Sequence, residues 1–329
     1  MPKGYKHVTY DKRCQIYALK ATGISNRKIG LLLDIHRSTV GNELKRNSGL
    51  KGYRYKQADQ KAKNRRLKAS SQPTKMTEEF KNELKNLLIA GWSPEQISGR
   101  LRLANKFISP ETIYKWIWAD KRSGGILYTF LRRRAKKYNK RKNKIAGRGL
   151  IPNRIGIEER PVIVEDKSRI GDIEIDTVIG QQRVSPVLVT AVDRHSKYVV
   201  IKLAQNKTAE KVTEQIIKGL STLPHPVITL TFDNGKEFAK HESIAAALKA
   251  NCFFAHAYCS WERGLNEHTN GLIRQIFPKG MDFSKLTEAA VQKVENWLNL
   301  RPRKSLNYLT PFEIMHNTKI NLRSVALQN

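Results

Sequence analysis

Three acidic groupings in the second half of the chain are of the residue type, and sit at the kind of element ends, that phosphoryl-transfer chemistry can use. Asp172, Glu174 and Asp176 recur at every second position in GDIEIDTVIG, so in an extended segment they share one face, with Ile173 and Ile175 on the other. Asp233 follows the apolar run VITLTF and opens Asp233-Asn234-Gly235, where a strand end can hold a carboxylate at the rim of a sheet. Glu267 is followed by Asn270, Gly271 and Arg274 at i+3, i+4 and i+7, which is one face of a helix. Two aspartates from neighbouring strands and a glutamate from a packed helix can converge on one point. Three carboxylates there repel one another unless cations are present. Two Mg²⁺ ions about 4 Å apart suit hard oxygen ligands and clamp the attacking and leaving oxygens of phosphoryl transfer. Each grouping has an ordinary reading too. Asp-Asn-Gly is frequently a turn, alternating acids mark a solvent-facing strand, and a helical glutamate is usually a surface residue. Their order and placement together, rather than any one grouping, point to a shared site.

The elements that must position these acids read as a mixed sheet. After GDIEIDTVIG come two β-rich runs in SPVLVTAVDRHSKYVVIKL, separated by Asp193-Arg194-His195-Ser196, a hairpin signal. A helical stretch covers 208–222, VITLTF at 227–232 is a buried-type strand, and 237–250 is helical. CFFA at 252–255 reads as a short strand and about 262–277 as a helix. The predicted order is β-β-β-α-β-α-β-α, an α/β arrangement with helices on the faces of the sheet.

The first half has different chemistry. Of the formal charge of +32, residues 1–150 carry 37 Lys/Arg against 10 Asp/Glu, and residues 151–329 carry 24 against 19. A basic half joined to a nearly balanced half points to a polyanion-binding region tethered to a domain with another task. Residues 11–47 read as a helical unit: Ile16 and Leu19 before Gly23, Ser25 capping a helix with Ile29, Leu32 and Leu33, then RSTVGNELKRN with Val40 and Leu44 at i, i+4. That is the helix-turn-helix pattern. Its last helix exposes Arg37, Ser38, Thr39, Asn42, Lys45 and Arg46, types that reach base edges or phosphates. A second unit spans about 77–118, with sharp helix starts at Ser93-Pro94-Glu95-Gln96 and Ser109-Pro110-Glu111. Its second helix turns Ile113, Trp116 and Ile117 inward and Thr112 and Lys115 outward, and Tyr114 and Trp118 read as core aromatics. Residues 51–70 and the run RRRAKKYNKRKNKIAGR at 132–148, which has ten basic residues and no acid, read as solvated linkers.

The expected layout is a helix-turn-helix DNA-binding domain at 1–50, a basic linker at 51–76, a second helix-turn-helix-like unit at 77–125, a basic linker at 126–165 and the catalytic domain at 166–329. Cys14, Cys252 and Cys259 form no CxxC pair, so neither a disulfide framework nor a Cys-rich zinc site is expected. The N-terminus lacks the apolar core of a signal peptide, and no run of about 18 apolar residues occurs. A cytoplasmic, DNA-associated protein without membrane contact is expected.

GDIEIDTVIG, TFDNGKEF and SWERGLNEHTNGLIRQIFPKG resemble the three catalytic blocks of the insertion sequence 30 family of bacterial DDE transposases. LNLRPRKSLNYLTPFEI resembles that family's C-terminal block, and 33 residues separate Asp233 from Glu267 as in the family. The resemblance covers nearly the whole chain. It implies an RNase H-like catalytic core in which Asp176, Asp233 and Glu267 are the catalytic, metal-binding triad for two Mg²⁺, with Mn²⁺ able to substitute. It also implies assembly as a homodimer or higher homo-oligomer on double-stranded DNA, at terminal inverted repeats and target. Two positions depart from the pattern: Asp172-Ile173 stands where His-Trp is frequent, and His268 where Asn is commoner. Asp176 is preferred over Asp172 because the TVIG segment follows it. The chemistry expected is hydrolysis at the element's end to free a 3′-OH, then in-line transesterification into target DNA, with Arg274 against the backbone near the cut. Two rival readings stay open: a catalytically inactive regulator that only binds element ends, and a plain nuclease of the same fold.

Overall fold

The computed structural model describes residues 7–70, 76–132, 151–181, 186–256 and 259–320. Most of the basic run at 132–148 therefore lies outside the described residues. The chain forms two compact units, Met1–Thr77 and Glu78–Asn329.

The first unit is all-helical: α1 (Tyr10–Ala21), α2 (Asn26–Leu32), α3 (Arg37–Asn47) and α4 (Tyr55–Ser70). Thr9 and Ser25 accept backbone N–H groups at the starts of α1 and α2, and Gly23 takes the left-handed conformation that ends the first turn. Ile16, Ile29 and Val40 are fully buried together. Residues 55–70, expected to be a linker, instead form the 16-residue α4, which packs against α1 and α3. Ala58 and Ala62 make the close approach. Arg13 supplies polar cross-links, reaching Glu43 at 2.8 Å and Asp59 of α4 at 3.1 Å. Small residues and a buried ion pair hold α4 in place, so its sequence carries almost no apolar stripe.

The second unit begins with α5 (Glu78–Ile89), α6 (Pro94–Leu103) and α7 (Pro110–Arg122). Ser93 and Gln96 form the expected capping box, and Ser109 caps α7. Short α8 (Ile163–Asp166) precedes β1 (Asp172–Ile179), β2 (Val187–Asp193) and β3 (Val199–Ala204). Then come α9 (Ala209–Leu220), β4 (Thr229–Phe232), α10 (His241–Leu248), β5 (Asn251–Phe254), α11 (Gly264–Ile273), α12 (Glu288–Asn299) and α13 (Pro311–His316). The strands lie in the order β3-β2-β1-β4-β5. β1 is antiparallel to β2 and parallel to β4, and β4 is parallel to β5. This is the mixed α/β sheet that the alternation predicts. Ile173, Ile175, Leu230 and Phe232 face α9 and α10, and Val178, Leu188, Val192 and Ile201 face α11 and α12. Part of the stretch expected as a linker is also structured: Ile151 joins the core, and the Ile155 carbonyl accepts the Phe254 N–H at 2.9 Å. No helix among the described residues is long and apolar enough to cross a membrane.

The C-terminal block seats α5 and α6. Arg100 of α6 holds Glu313 of α13 through two hydrogen bonds, 2.8 and 2.6 Å. The Trp297 indole donates to the Ala90 carbonyl at 3.0 Å. Gly99 lets Tyr308 in: a Cβ there would lie 2.3 Å from the ring. Gly99→Ala should therefore destabilise the protein by about 1–3 kcal/mol through overpacking, against the roughly 1 kcal/mol gain that helix propensity alone predicts. Urea unfolding decides the sign, and Tyr308→Ala in the same chain should remove the penalty.

Candidate catalytic site

Asp176 lies on β1 where β1 is flanked by β2 and β4. The β1–β4 register pairs Glu174 with Thr231, so two residues further along both strands Asp176 comes level with Asp233, just past the end of β4. Period-2 alternation then turns both carboxylates to the face covered by α11. They meet at one guanidinium: Arg263 sits 3.6 Å from Asp176 Oδ1 and 3.4 Å from Asp233 Oδ2, and donates to the Ile175 carbonyl at 3.0 Å. Asp176 is further held by the Thr177 N–H at 2.9 Å and the Asn270 amide at 2.7 Å. Asp233 Oδ1 accepts the Gly235 N–H at 2.9 Å, and Asn234 donates to the Ala255 carbonyl at 2.7 Å. A Cβ at Gly235 would press on the carboxylates of Glu237, at 2.5 Å, and of Asp233, at 2.8 Å, so a side chain there would displace them.

Glu267 occupies the solvent-exposed side of α11, one turn before the Asn270 that grips Asp176. The structure brings Asp176 and Asp233 together. Among the described residues it gathers no three His, Cys, Asp or Glu closely enough to hold a metal ion. Electrostatics gives the reason. Burial pushes the Asp176 carboxyl above its ordinary value; Arg263 opposes that shift and the Asp233 charge adds to it. A third carboxylate brought in without added positive charge would raise the repulsion further. The donor set is oxygen-only and short of positive charge, which fits hard divalent cations.

The other two acids of β1 are committed elsewhere. Asp172 is fully buried, held by Arg169 at 2.8 Å and by the Thr229 hydroxyl at 2.8 Å. Glu174 accepts from Arg194 at 2.9 Å and from the Asn266 N–H at the start of α11 at 3.1 Å. This acidic face is therefore interior, not solvent-exposed, and Asp176 is the one acid of the three that reaches the rim. Sequence reasoning missed Arg263 and Glu237. Arg263 immediately precedes α11, in the same SWERGLNEH segment that holds Glu267, and nothing in its local sequence points it at the two aspartates. Glu237 is buried, accepts from Thr177 at 3.0 Å and pairs with Lys207 at 2.8 Å; nothing in its local sequence indicates this.

A family model described as a helix-turn-helix domain matches residues 4–47. The chain is 44% identical to the transposase for insertion sequence element IS4351 of Bacteroides fragilis, across 98% of both chains. It is 33% identical to the transposase InsI for insertion sequence element IS30A of Escherichia coli K12, over 98% of this chain and 85% of that one. This chain belongs to the insertion sequence 30 family of transposases. It is also 32% identical to the transposase for IS1086 of Cupriavidus metallidurans, over 96% of each. Among solved structures, the HTLV-2 integrase catalytic core domain in complex with magnesium aligns with 46% of this chain and 99% of its own, at 20% identity and a TM-score of 0.36.

In this family member the helix-turn-helix match falls on α1–α3. On α3, Arg37, Ser38, Asn42, Lys45 and Arg46 are exposed, and Thr39 is half-buried. Ser38 shares a hydrogen bond with the His36 ring at 2.7 Å. On α7, Ile113 and Ile117 are buried, while Thr112 and Lys115 are exposed. Tyr114, read as a core aromatic, is exposed instead, because it lies a quarter-turn off the Ile113–Ile117 stripe. Arg274 is half-buried, donates to the Ile179 carbonyl at 2.6 Å, and has an Nη1 without a hydrogen-bond partner among the described residues.

Proposed function

We propose that this chain is a DNA transposase that binds the terminal inverted repeats of its own element, cleaves the ends to free 3′-OH groups, and joins them to target DNA. The carrying observation is the pair Asp176 and Asp233, set level on adjacent parallel strands around Arg263, with α11 placing Glu267 one turn from Asn270. Asp176, Asp233 and Glu267 would hold two Mg²⁺, or Mn²⁺ in their place. When bound, these ions supply Lewis-acid charge to the oxygens of an in-line displacement at phosphorus.

The chain's own residues pre-set this chemistry. Asn270 and the Thr177 N–H fix both oxygens of Asp176, and the Gly235 N–H fixes one oxygen of Asp233, so neither aspartate must reorient at the moment of reaction. In cleavage, a water oxygen bonds to phosphorus as the bond to the 3′-oxygen breaks, and that oxygen leaves as a 3′-OH. In joining, this hydroxyl attacks a target phosphorus and expels the target's 3′-oxygen. One phosphodiester is exchanged for another, so no external energy source is needed. Arg274 is assigned to the backbone near the cut. The exposed face of α3 (Arg37, Ser38, Thr39, Asn42, Lys45 and Arg46) and Thr112 and Lys115 of α7 are assigned to duplex ends. Pairing two ends requires at least a dimer on DNA.

The test uses purified protein and labelled duplex carrying the element's ends, with Mg²⁺ or with EDTA, beside Glu267→Gln. The expected result is metal-dependent 3′-OH ends and joined products, both lost in the variant. Specific end binding without cutting, under conditions that support assembly, would replace this reading with that of a DNA-binding regulator.

A further inference from the structure

Beside Glu267, the surface of α11 carries a second cluster that the cleavage chemistry leaves unused. Arg301 and Arg303 follow α12, and Arg132 reaches the same place from the end of the α5–α7 region. Arg301 is 5% exposed and stacks on Trp297, its guanidinium carbon 4.5 Å from the ring centre. Its Nη2 donates to Gln96 at 3.3 Å, while Nε and Nη1 have no hydrogen-bond partner among the described residues. Arg303 donates to the Leu298 carbonyl at 3.1 Å, and its Nε is likewise unpartnered among them. Burial pushes Arg301 down to about 9, with Arg303 and Arg132 adding to the shift, and Arg303 down to about 10. Both remain cations at neutral pH.

No carboxylate among the described residues pairs with Arg301 or Arg303. Burying a charge without a counter-charge costs several kcal/mol, on the order of what breaking a buried pair costs. Such a cost points to an absent anion. Arg132, Trp297 and Arg301 line a cavity of about 370 Å³ with Gln275, and the α11 backbone faces the cluster through Gly271, whose missing Cβ would meet only Arg132 Nη2, at 3.6 Å. A guanidinium fork fixed by ring stacking matches two oxygens of a phosphate better than it matches a single acceptor.

We infer that Arg132, Arg301 and Arg303 bind one phosphodiester group of the DNA backbone, on the strand that passes Glu267. The inference rests on the transposase reading for its ligand. The site would hold the DNA independently of the carboxylates, seating the strand before any chemistry.

The test measures binding of full-length protein to end duplex across a range of salt, in EDTA so that nothing is cut. Loss of one phosphate contact should make the slope of log K against log salt shallower by about 0.9, which is about an eightfold weakening at roughly 0.1 M salt that fades toward 1 M. Arg301→Gln should show this. Gly271→Glu tests the same site without removing the stack on Trp297. Its carboxylate fills the cluster, so it should raise the unfolding temperature of the free protein and shift the slope equally. Unchanged slopes in both variants would overturn the inference. A wild-type unfolding temperature raised by inorganic phosphate, with DNA slopes unaltered, would assign the site to free phosphate and overturn the backbone assignment. Because these readings are taken without metal, they are separate from the cleavage assay, whose failure would instead sink the transposase reading.

Discussion

Asp233→Asn should abolish strand cleavage while leaving end binding intact. The substitution is nearly isosteric, and the Asn carbonyl can still accept the Gly235 N–H now bonded at 2.9 Å. The loop geometry after β4 therefore survives. What disappears is one negative charge from the set proposed to hold the divalent ions. If that removes roughly 4 kcal/mol of transition-state stabilisation, cleavage falls about a thousandfold. The fold should not suffer, since Asn removes a charge that opposes ionisation of Asp176. This yields a readout independent of activity: the Asp176 carboxyl, followed by NMR titration, should move down toward its ordinary value. A variant that still cleaves at the wild-type rate would remove Asp233 from the triad. One that loses both cleavage and end binding would point to a structural role.

The sheet was legible because its strands alternate or run apolar in short segments bounded by turns. The order from β1 to α11 follows directly from residues 172–277. What sequence could not show is where buried polar groups find partners. Asp172, Glu174 and Asp176 look equivalent along β1, yet Arg169 and Thr229 claim the first, Arg194 and the α11 backbone claim the second, and only the third reaches the rim. Each of those partners except Arg169 lies 20 or more residues away in the sequence, beyond any local pattern. Residues 55–70 were opaque for a related reason: Ala58, Ala62 and the Arg13–Asp59 pair do the packing, and none of them gives the hydrophobic stripe by which a helix is read. The C-terminal block carries one clear local signal, the Thr310-Pro311-Phe312-Glu313 helix start. Its role as the seat of α5 and α6 depends on Arg100–Glu313, Tyr308 against Gly99, and Trp297 against Gly91, all about 200 positions apart.

Glu174 links the interior to the candidate catalytic site, and its replacement should have the largest effect on stability. One carboxylate oxygen accepts from Arg194, the other from the Asn266 N–H immediately before Glu267. Both partners are buried. Glu174→Ala strands both donors and leaves a cavity. The cost should be about 3 kcal/mol, the lower end for breaking a buried pair, because Arg194 keeps its 2.9 Å contact to Glu165. Charge and hydrogen bonding can be separated here. Burial raises the Glu174 carboxyl above its ordinary value despite Arg194, the Asn266 N–H, Arg263 and Arg160. The folded state thus holds this proton more tightly than the unfolded chain does, and the carboxyl's contribution to stability declines as pH rises from about 4.5 through the higher folded value. Glutamine mimics the protonated form and keeps one acceptor. Glu174→Gln should therefore cost clearly less than Glu174→Ala and should lack that acid-side decline. Urea unfolding from pH 4 to pH 7 measures both effects. Equal losses in the two variants would mean that the charge, not the hydrogen bonds, holds α11. No loss in Glu174→Ala would mean that α11 is fixed by its apolar face alone, through Leu272 and Ile273. At temperatures where the Ala variant stays folded, its cleavage should still fall, because the first turn of the helix bearing Glu267 and Asn270 has lost its anchor to β1.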